Sequence, residues 1–277
     1  MTESREFESF FHHPRWSAPV IRYKAADLLL DMICIYGSIL ASRGRSLYWA
    51  SCYDSITGYQ SAVRRLARKG VIVSRRVGGE RVLRLAETAH RLNARFRPDR
   101  SWNKKWNRIW YVLFYDIAES EKTFRDALRR LLRKQHLGCL QRSVYISPRD
   151  FRPDYYDLCQ AFHIESECYL MEAKTVLGRS PQDLVRAAWD WHPVDLVQQQ
   201  YLDVVRDRLK QFRAGPRQSH ESLQTLASEE LTAYLTAFEH DPLLPRALWP
   251  LSYRGAKVYA AHQRFVRAVQ TQLRKPS

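Results

Sequence analysis

The chain has 277 residues, 45 lysines and arginines against 29 aspartates and glutamates, a net charge of +16 and 45% hydrophobic residues. That apolar content is enough for folded cores and excludes a disordered polyelectrolyte, and at ~100–200 residues per domain the length makes two or three domains. The longest apolar run, 28–41, is broken by Asp31, Gly37 and Ser38, so no segment reaches the ~18 residues of a membrane span. The first ten residues also lack the basic-then-apolar pattern of a secretory leader, and a cytoplasmic location is expected.

The charge is localised. Residues 1–101 hold 18 basic and 9 acidic side chains, 102–150 hold 11 and 5, and 151–277 hold 16 and 15, so the excess is +9, +6 and +1. Such a field concentrates a polyanion and releases its counterions on binding, which makes nucleic acid the leading partner.

After a polar extension over 1–24, residues 25–41 read as a helix with Leu28, Leu29, Met32, Ile33, Tyr36 and Leu40 on one face. A second short helix is expected over 47–53, and a third follows from Thr57. Thr57 and Gln60 have the spacing of a capping box, and Gly70 is placed to end the helix in a left-handed conformation. Tyr59, Ala62, Val63 and Leu66 then point inward, leaving Gln60, Ser61, Arg64, Arg65 and Arg68 on the solvent face. Small and amide side chains in the first turn suit base edges, and the arginines suit guanine edges or phosphates. Two branched runs flanking Gly78-Gly79 read as a hairpin with Arg75, Arg76 and Arg81 near its tip. Three helices and a basic hairpin make a winged helix-turn-helix over 25–97, whose DNA contacts fall to Thr57, Tyr59, Gln60, Ser61, Arg64, Arg65, Arg68, Arg75, Arg76 and Arg81.

A basic linker is expected over 98–105 and a new domain over 106–178. In it, strand 109–116, helix 122–134, strand 139–147, helix 155–162 and strand 168–173 make a ferredoxin-like sandwich. Asp116, ending the first strand, is placed to hold a divalent metal or to cap the next element. The stretch Tyr115-Asp116-Ile117, with Gln141-Arg142-Ser143-Val144-Tyr145 downstream, resembles the small ferredoxin-like nucleases of CRISPR adaptation, in which paired aspartates bind metal at a dimer interface.

The five cysteines are odd in number and lack a C-x-x-C pair, as expected of reduced thiols. Cys159, His163 and Cys168 lie near one another in sequence without a fourth zinc ligand at a familiar spacing, and ordinary partly buried thiols are preferred. Residues 179–277 read as a nearly neutral helical domain. Trp189, Trp191 and Tyr201 are either core residues or the lining of an effector pocket, with Arg179 or Arg186 placed to meet phosphates.

The order of these parts resembles the PaaX-like transcriptional repressors from about residue 25 to residue 270. The resemblance rests on residues 61–70, 110–117 with Glu119, and 143–148, and on Ala188-Trp189-Asp190 and Asp241-Pro242-Leu243-Leu244-Pro245. It implies an α+β chain of winged helix-turn-helix, ferredoxin-like middle and helical tail, working as a homodimer on a double-stranded, palindromic operator. It also implies an acyl-CoA effector, although the polar N-terminus, His192 and Gln198-Gln199-Gln200 leave another effector class, or none, open. No catalytic residue, metal or cofactor is expected of such a regulator. A metal-dependent nuclease using Asp116 and a nucleic-acid-binding module without regulatory function are the competing readings.

Overall fold

The computed structural model describes residues 9–19, 56–77, 80–86, 98–215 and 218–274. The helices expected over 25–41 and 47–53 lie outside the described residues. The chain divides into two compact units, one of Pro98–Asp195 with His240–Tyr253, the other of Met1–Arg97, Leu196–Glu239 and Arg254–Ser277.

The first unit is built on a four-stranded antiparallel sheet. Strand β3 (Trp110–Tyr115) leads through a turn at Glu119–Glu121 into helix α3 (Lys122–Lys134), then β4 (Gly138–Gln141), β5 (Val144–Ser147), helix α4 (Arg152–Phe162) and β6 (Cys168–Ala173). The spatial order β4-β5-β3-β6 with all neighbours antiparallel is that of a ferredoxin-like sandwich. Alternation along β3 sorts its side chains between two faces. Tyr111, Leu113 and Tyr115 join Leu128 and Leu132 of α3 and Leu158 of α4 in one core. Trp110 and Val112 belong to a second core with Ile146, Leu184, Val185, Ala188, Leu244 and Leu248. The sheet is thus covered on both faces, which is why β3 reads as a nearly continuous apolar run instead of an alternating one.

The single strand expected over 139–147 is instead a hairpin, with Gly138 opposite Ile146 and an irregularity between Cys139 and Gln141. The polar triplet Gln141-Arg142-Ser143 makes the turn without the Gly, Asn or Pro that would mark it in the sequence. Residues 98–105 open with a short helix, α2 (Pro98–Trp102), whose buried Trp102 meets Trp249 and Tyr253 edge-on at 5.5 and 6.2 Å.

Helix α5 (Pro181–Ala188) opens with a capping box at Ser180. The Ser180 hydroxyl accepts from the Asp183 amide at 3.1 Å, and the Asp183 carboxylate accepts from the Ser180 amide at 3.1 Å. The hydrogen bonds from Ser180, then Arg186, hold the Asp183 carboxyl down at about 2. A carboxyl lowered in the folded state stabilises above its ordinary range and loses that contribution as pH falls toward the folded value. Urea titrations of the wild type and Asp183→Asn should therefore differ at pH 6 and converge as pH approaches 2.

The C-terminal end of the same helix explains Gly138. A methyl group there would stand 2.7 Å from the Ala188 Cβ and 2.7 Å from the Trp189 ring. Gly138→Ala should cost about 1–3 kcal/mol by overpacking, read as a lower urea midpoint at unchanged slope.

Buried Asp241 accounts for one of the sequence motifs. One carboxylate oxygen accepts from the Leu243 amide and the other from the Tyr253 hydroxyl, each at 2.8 Å. These bonds hold Leu243 at φ +51°, an uncommon left-handed conformation for a leucine.

In the second unit helix α6 (Trp191–Ala214) continues from Leu196 and is joined by α7 (His220–Phe238) and α8 (Gly255–Arg274). Its core includes Val204, Val205, Leu231, Tyr234, Val258 and Phe265. Glu230, fully buried there, accepts from the Tyr201 hydroxyl and lies 2.8 Å from His262 Nδ1, while the imidazole stacks on Tyr234 at 4.0 Å. Residues 9–19 are built into the same unit. The Ser9 hydroxyl and Phe10 amide donate to the two Glu229 carboxylate oxygens at 2.8 and 2.7 Å. Phe10 is fully buried against Trp16 and Tyr201.

Candidate nucleic-acid interface

Helix α1 (Ile56–Arg68) carries the residues that the sequence singles out, and its two faces are chemically opposite. Val63 and Leu66 are buried, and Thr57, Gln60, Ser61, Arg64, Arg65 and Arg68 are exposed. At ~100° per residue the five from Gln60 to Arg68 span an arc of ~140° and ~12 Å of axis, the dimensions of a surface that enters a major groove. Lys69 is exposed at the end of the same strip and was not singled out, although it continues the basic run. Arg65 and Arg68 also fall in the helix's last turn, where a cation complements the carbonyl end of the dipole.

Thr57 lies within the helix and not ahead of it, so the Thr57–Gln60 pair does not act as a cap. The other end is closed as expected. Gly70 sits at φ +66° and donates to the Ala67 carbonyl at 3.0 Å, while Val71 donates to that of Leu66 at 3.0 Å. This is the Schellman pattern, and a glycine meets its left-handed requirement without steric cost.

From Gly70 the chain enters β1 (Ile72–Val77), paired antiparallel with β2 (Glu80–Leu85). Val77 stands opposite Glu80, which leaves Gly78-Gly79 as a two-residue connection. Those glycines lie outside the described residues. The register sets Arg76 opposite Arg81 and Arg75 opposite Val82. Ile72 and Leu83 are buried, as are Val63 and Leu66 of α1.

Asp116 is exposed one residue past β3, its amide donating to the Glu167 carbonyl at 2.8 Å. Among the described residues no three His, Cys, Asp or Glu side chains come together as a metal site would require. Cys159 and Cys168 are buried in the sheet core, and His163 is exposed at the end of α4. Burial, then Cys159, pushes the Cys168 thiol up to about 12, far from the thiolate that zinc takes.

The residues considered for an effector fall in two places. Arg179 is exposed in the loop before α5, and Arg186 pairs with Asp183. The Trp189 indole donates to the His136 carbonyl at 3.2 Å and the Trp191 indole to that of Val185 at 3.0 Å, so both rings are tied into the sheet unit. Tyr201 belongs to the second unit, fully buried beside Glu230.

Residues 103–185 match the family model of the PaaX protein central Cas2-like domain. This stretch, under a third of the chain, is similar to the PaaX central domain. That model spans the ferredoxin-like sandwich, so the PaaX-type domain is the part of the chain in which α3, β4 and β5 lie. Among solved structures, an uncharacterized protein from Mycobacterium tuberculosis resembles it with a TM-score of 0.51 and 19% identity, over 90% of this chain and 97% of that one. At this identity the likeness is one of fold. No curated protein matches the chain.

Proposed function

We propose that this PaaX-like chain is a sequence-specific transcriptional regulator, a repressor that binds a palindromic double-stranded operator as a homodimer in the cytoplasm and is released by a small-molecule effector. The observation that carries the reading is helix α1, with an exposed face of Gln60, Ser61, Arg64, Arg65 and Arg68, a buried Val63 and Leu66, and a hairpin directly behind it. The PaaX central domain on the same chain supports it.

In this reading α1 supplies base contacts and the hairpin, with Arg75, Arg76 and Arg81, supplies phosphate contacts. Dimer geometry fixes the half-site spacing. Repression needs occupancy and no chemistry, because an operator held several kcal/mol more tightly than competing DNA is sufficient. The proposal therefore assigns no catalytic residue.

The test is binding of the purified protein to DNA from its own upstream region and to a scrambled duplex, across a salt series with magnesium present. Preferential retention without cleavage is the expected result. Equal, steeply salt-dependent affinity for both duplexes would reduce the protein to a general nucleic-acid binder. The Cas2-like description of the middle domain favours a second reading, a metal-dependent nuclease using Asp116. In the same assay Asp116→Ala should retain wild-type operator affinity, and magnesium-dependent fragmentation abolished by that substitution would establish the nuclease instead.

A further inference from the structure

One end of the sheet unit holds a cavity of about 580 Å³ walled by α3, the end of β3 and the β4–β5 turn. Four arginines line it, Arg125, Arg129 and Arg133 from α3 and Arg142 from the turn. Spaced four residues apart, the three on α3 share one helix face at ~6 Å intervals, a placement that sets like charges against one another. Asp126, beside Arg129 at 3.2 Å, is the one acid that pairs with any of the four among the described residues.

Arg129 acts as a strut. Its Nε donates to the Tyr115 hydroxyl at 3.2 Å and to the Arg142 carbonyl at 3.3 Å, and the Tyr115 hydroxyl donates to that same carbonyl at 3.0 Å. The bond to Tyr115 pushes the Arg129 guanidinium further up, so its charge is permanent. This triangle ties the β4–β5 turn to α3 and presents Arg142 at the cavity. By contrast the Arg125 Nε is buried with no hydrogen-bond partner among the described residues. Burial, then Cys139, pushes the Tyr145 hydroxyl far up, so it stays a neutral donor. Four guanidiniums lining one cavity, with a single acid paired to any of them among the described residues, are what an oxyanion would neutralise, and phosphoryl oxygens fit guanidinium forks in particular.

Two further features narrow the ligand. The volume lies within the ~300–1,000 Å³ of small-molecule sites and far exceeds a single phosphate. Asp116 and Glu119 share the wall with the arginines, and they accept hydrogen bonds where they would repel an anion.

We propose that this cavity binds a small phosphate ester that also carries hydroxyl or amino groups, with its phosphoryl end among Arg125, Arg129, Arg133 and Arg142 and its donor groups toward Asp116 and Glu119. The site uses none of the residues assigned to the DNA-binding face and does not depend on that reading.

The experiment is calorimetric titration of the full chain with adenosine 5′-diphosphate and with inorganic pyrophosphate at constant ionic strength, for the wild type, Arg125→Gln, Arg133→Gln and the outside control Arg149→Gln. Saturable binding of both probes is expected, the diphosphate ester being the tighter because it alone can donate to the carboxylates. Each cavity variant should weaken both by about ten- to a hundredfold, as loss of one charge-assisted hydrogen bond does, and the control should match the wild type. Thermal melts identify any variant that has lost its fold, and the other then decides. Absence of saturable binding, or affinity unchanged in both cavity variants, would overturn the proposal. So would binding of a short single-stranded oligonucleotide that both variants abolish while neither small molecule binds, because the groove would then serve a polynucleotide.

Discussion

Replacing Arg64 and Arg65 together by alanine should weaken operator binding about a hundredfold or more while leaving the circular dichroism spectrum unchanged. Both side chains are exposed on the face of α1 opposite buried Val63 and Leu66, so no core contact is lost with them. An arginine that reads a guanine edge is worth ~1–3 kcal/mol, and one that holds a phosphate removes about one unit of salt slope when it is lost. The two classes separate in one data set. If the variant loses affinity for operator and scrambled DNA alike and its salt slope falls by about two, both arginines hold phosphates. If operator affinity falls and non-specific affinity stays, at least one reads a base. Affinity within threefold of the wild type on both duplexes would remove α1 from the interface.

The second large effect concerns stability. Glu230→Ala should cost the second unit about 3–5 kcal/mol and lower its melting temperature by roughly 10 °C. The carboxylate is fully buried and is the shared acceptor of Tyr201 and His262, so its removal strips a partner from two buried polar groups and opens a void beside them. Glu230→Gln keeps the volume and one acceptor and should cost less than half as much. Calorimetric scans of the three proteins check the ranking. If Glu230→Ala melts within 2 °C of the wild type, the cluster is not a stabilising element of the unit.

The parts legible in the sequence are those where one physical signal dominated. Phe124, Leu128, Leu131 and Leu132 repeat at helical spacing, and α3 occupies the expected residues. The branched and aromatic run before Asp116 gave β3 to within a residue at each end, and Cys168–Ala173 is a strand as read. The face of α1 was equally legible, because Val63 and Leu66 set the buried side and the arginines fall opposite.

What the sequence concealed depended on partners far away in it. The Gln141-Arg142-Ser143 turn carries no breaker, so the hairpin is decided by the pairing of Gly138 with Ile146 and not by local preference. Phe10 sits in a polar stretch, and only Glu229, Trp16 and Tyr201 make its burial intelligible. The cavity arginines of α3 stand four residues apart, a spacing that by itself also fits a solvated helix face, and only the hairpin that carries Arg142 and Tyr145 makes a cavity of them.

The clasp between Ser9, Phe10 and Glu229 closes a loop of 220 residues. At ~5–20 residues per second of synthesis, Ser9 and Phe10 wait on the order of 10–40 s before Glu229 is made. The four strands of the ferredoxin-like unit, all between Trp110 and Ala173, emerge well before that moment, whereas Phe10 and Trp16 stay wet until α7 is made. The strands can therefore pair before Phe10 is covered, but the second face of the sheet waits for Leu244 and Leu248, and a product cut short before Glu229 should leave both that face and Phe10 open to proteases.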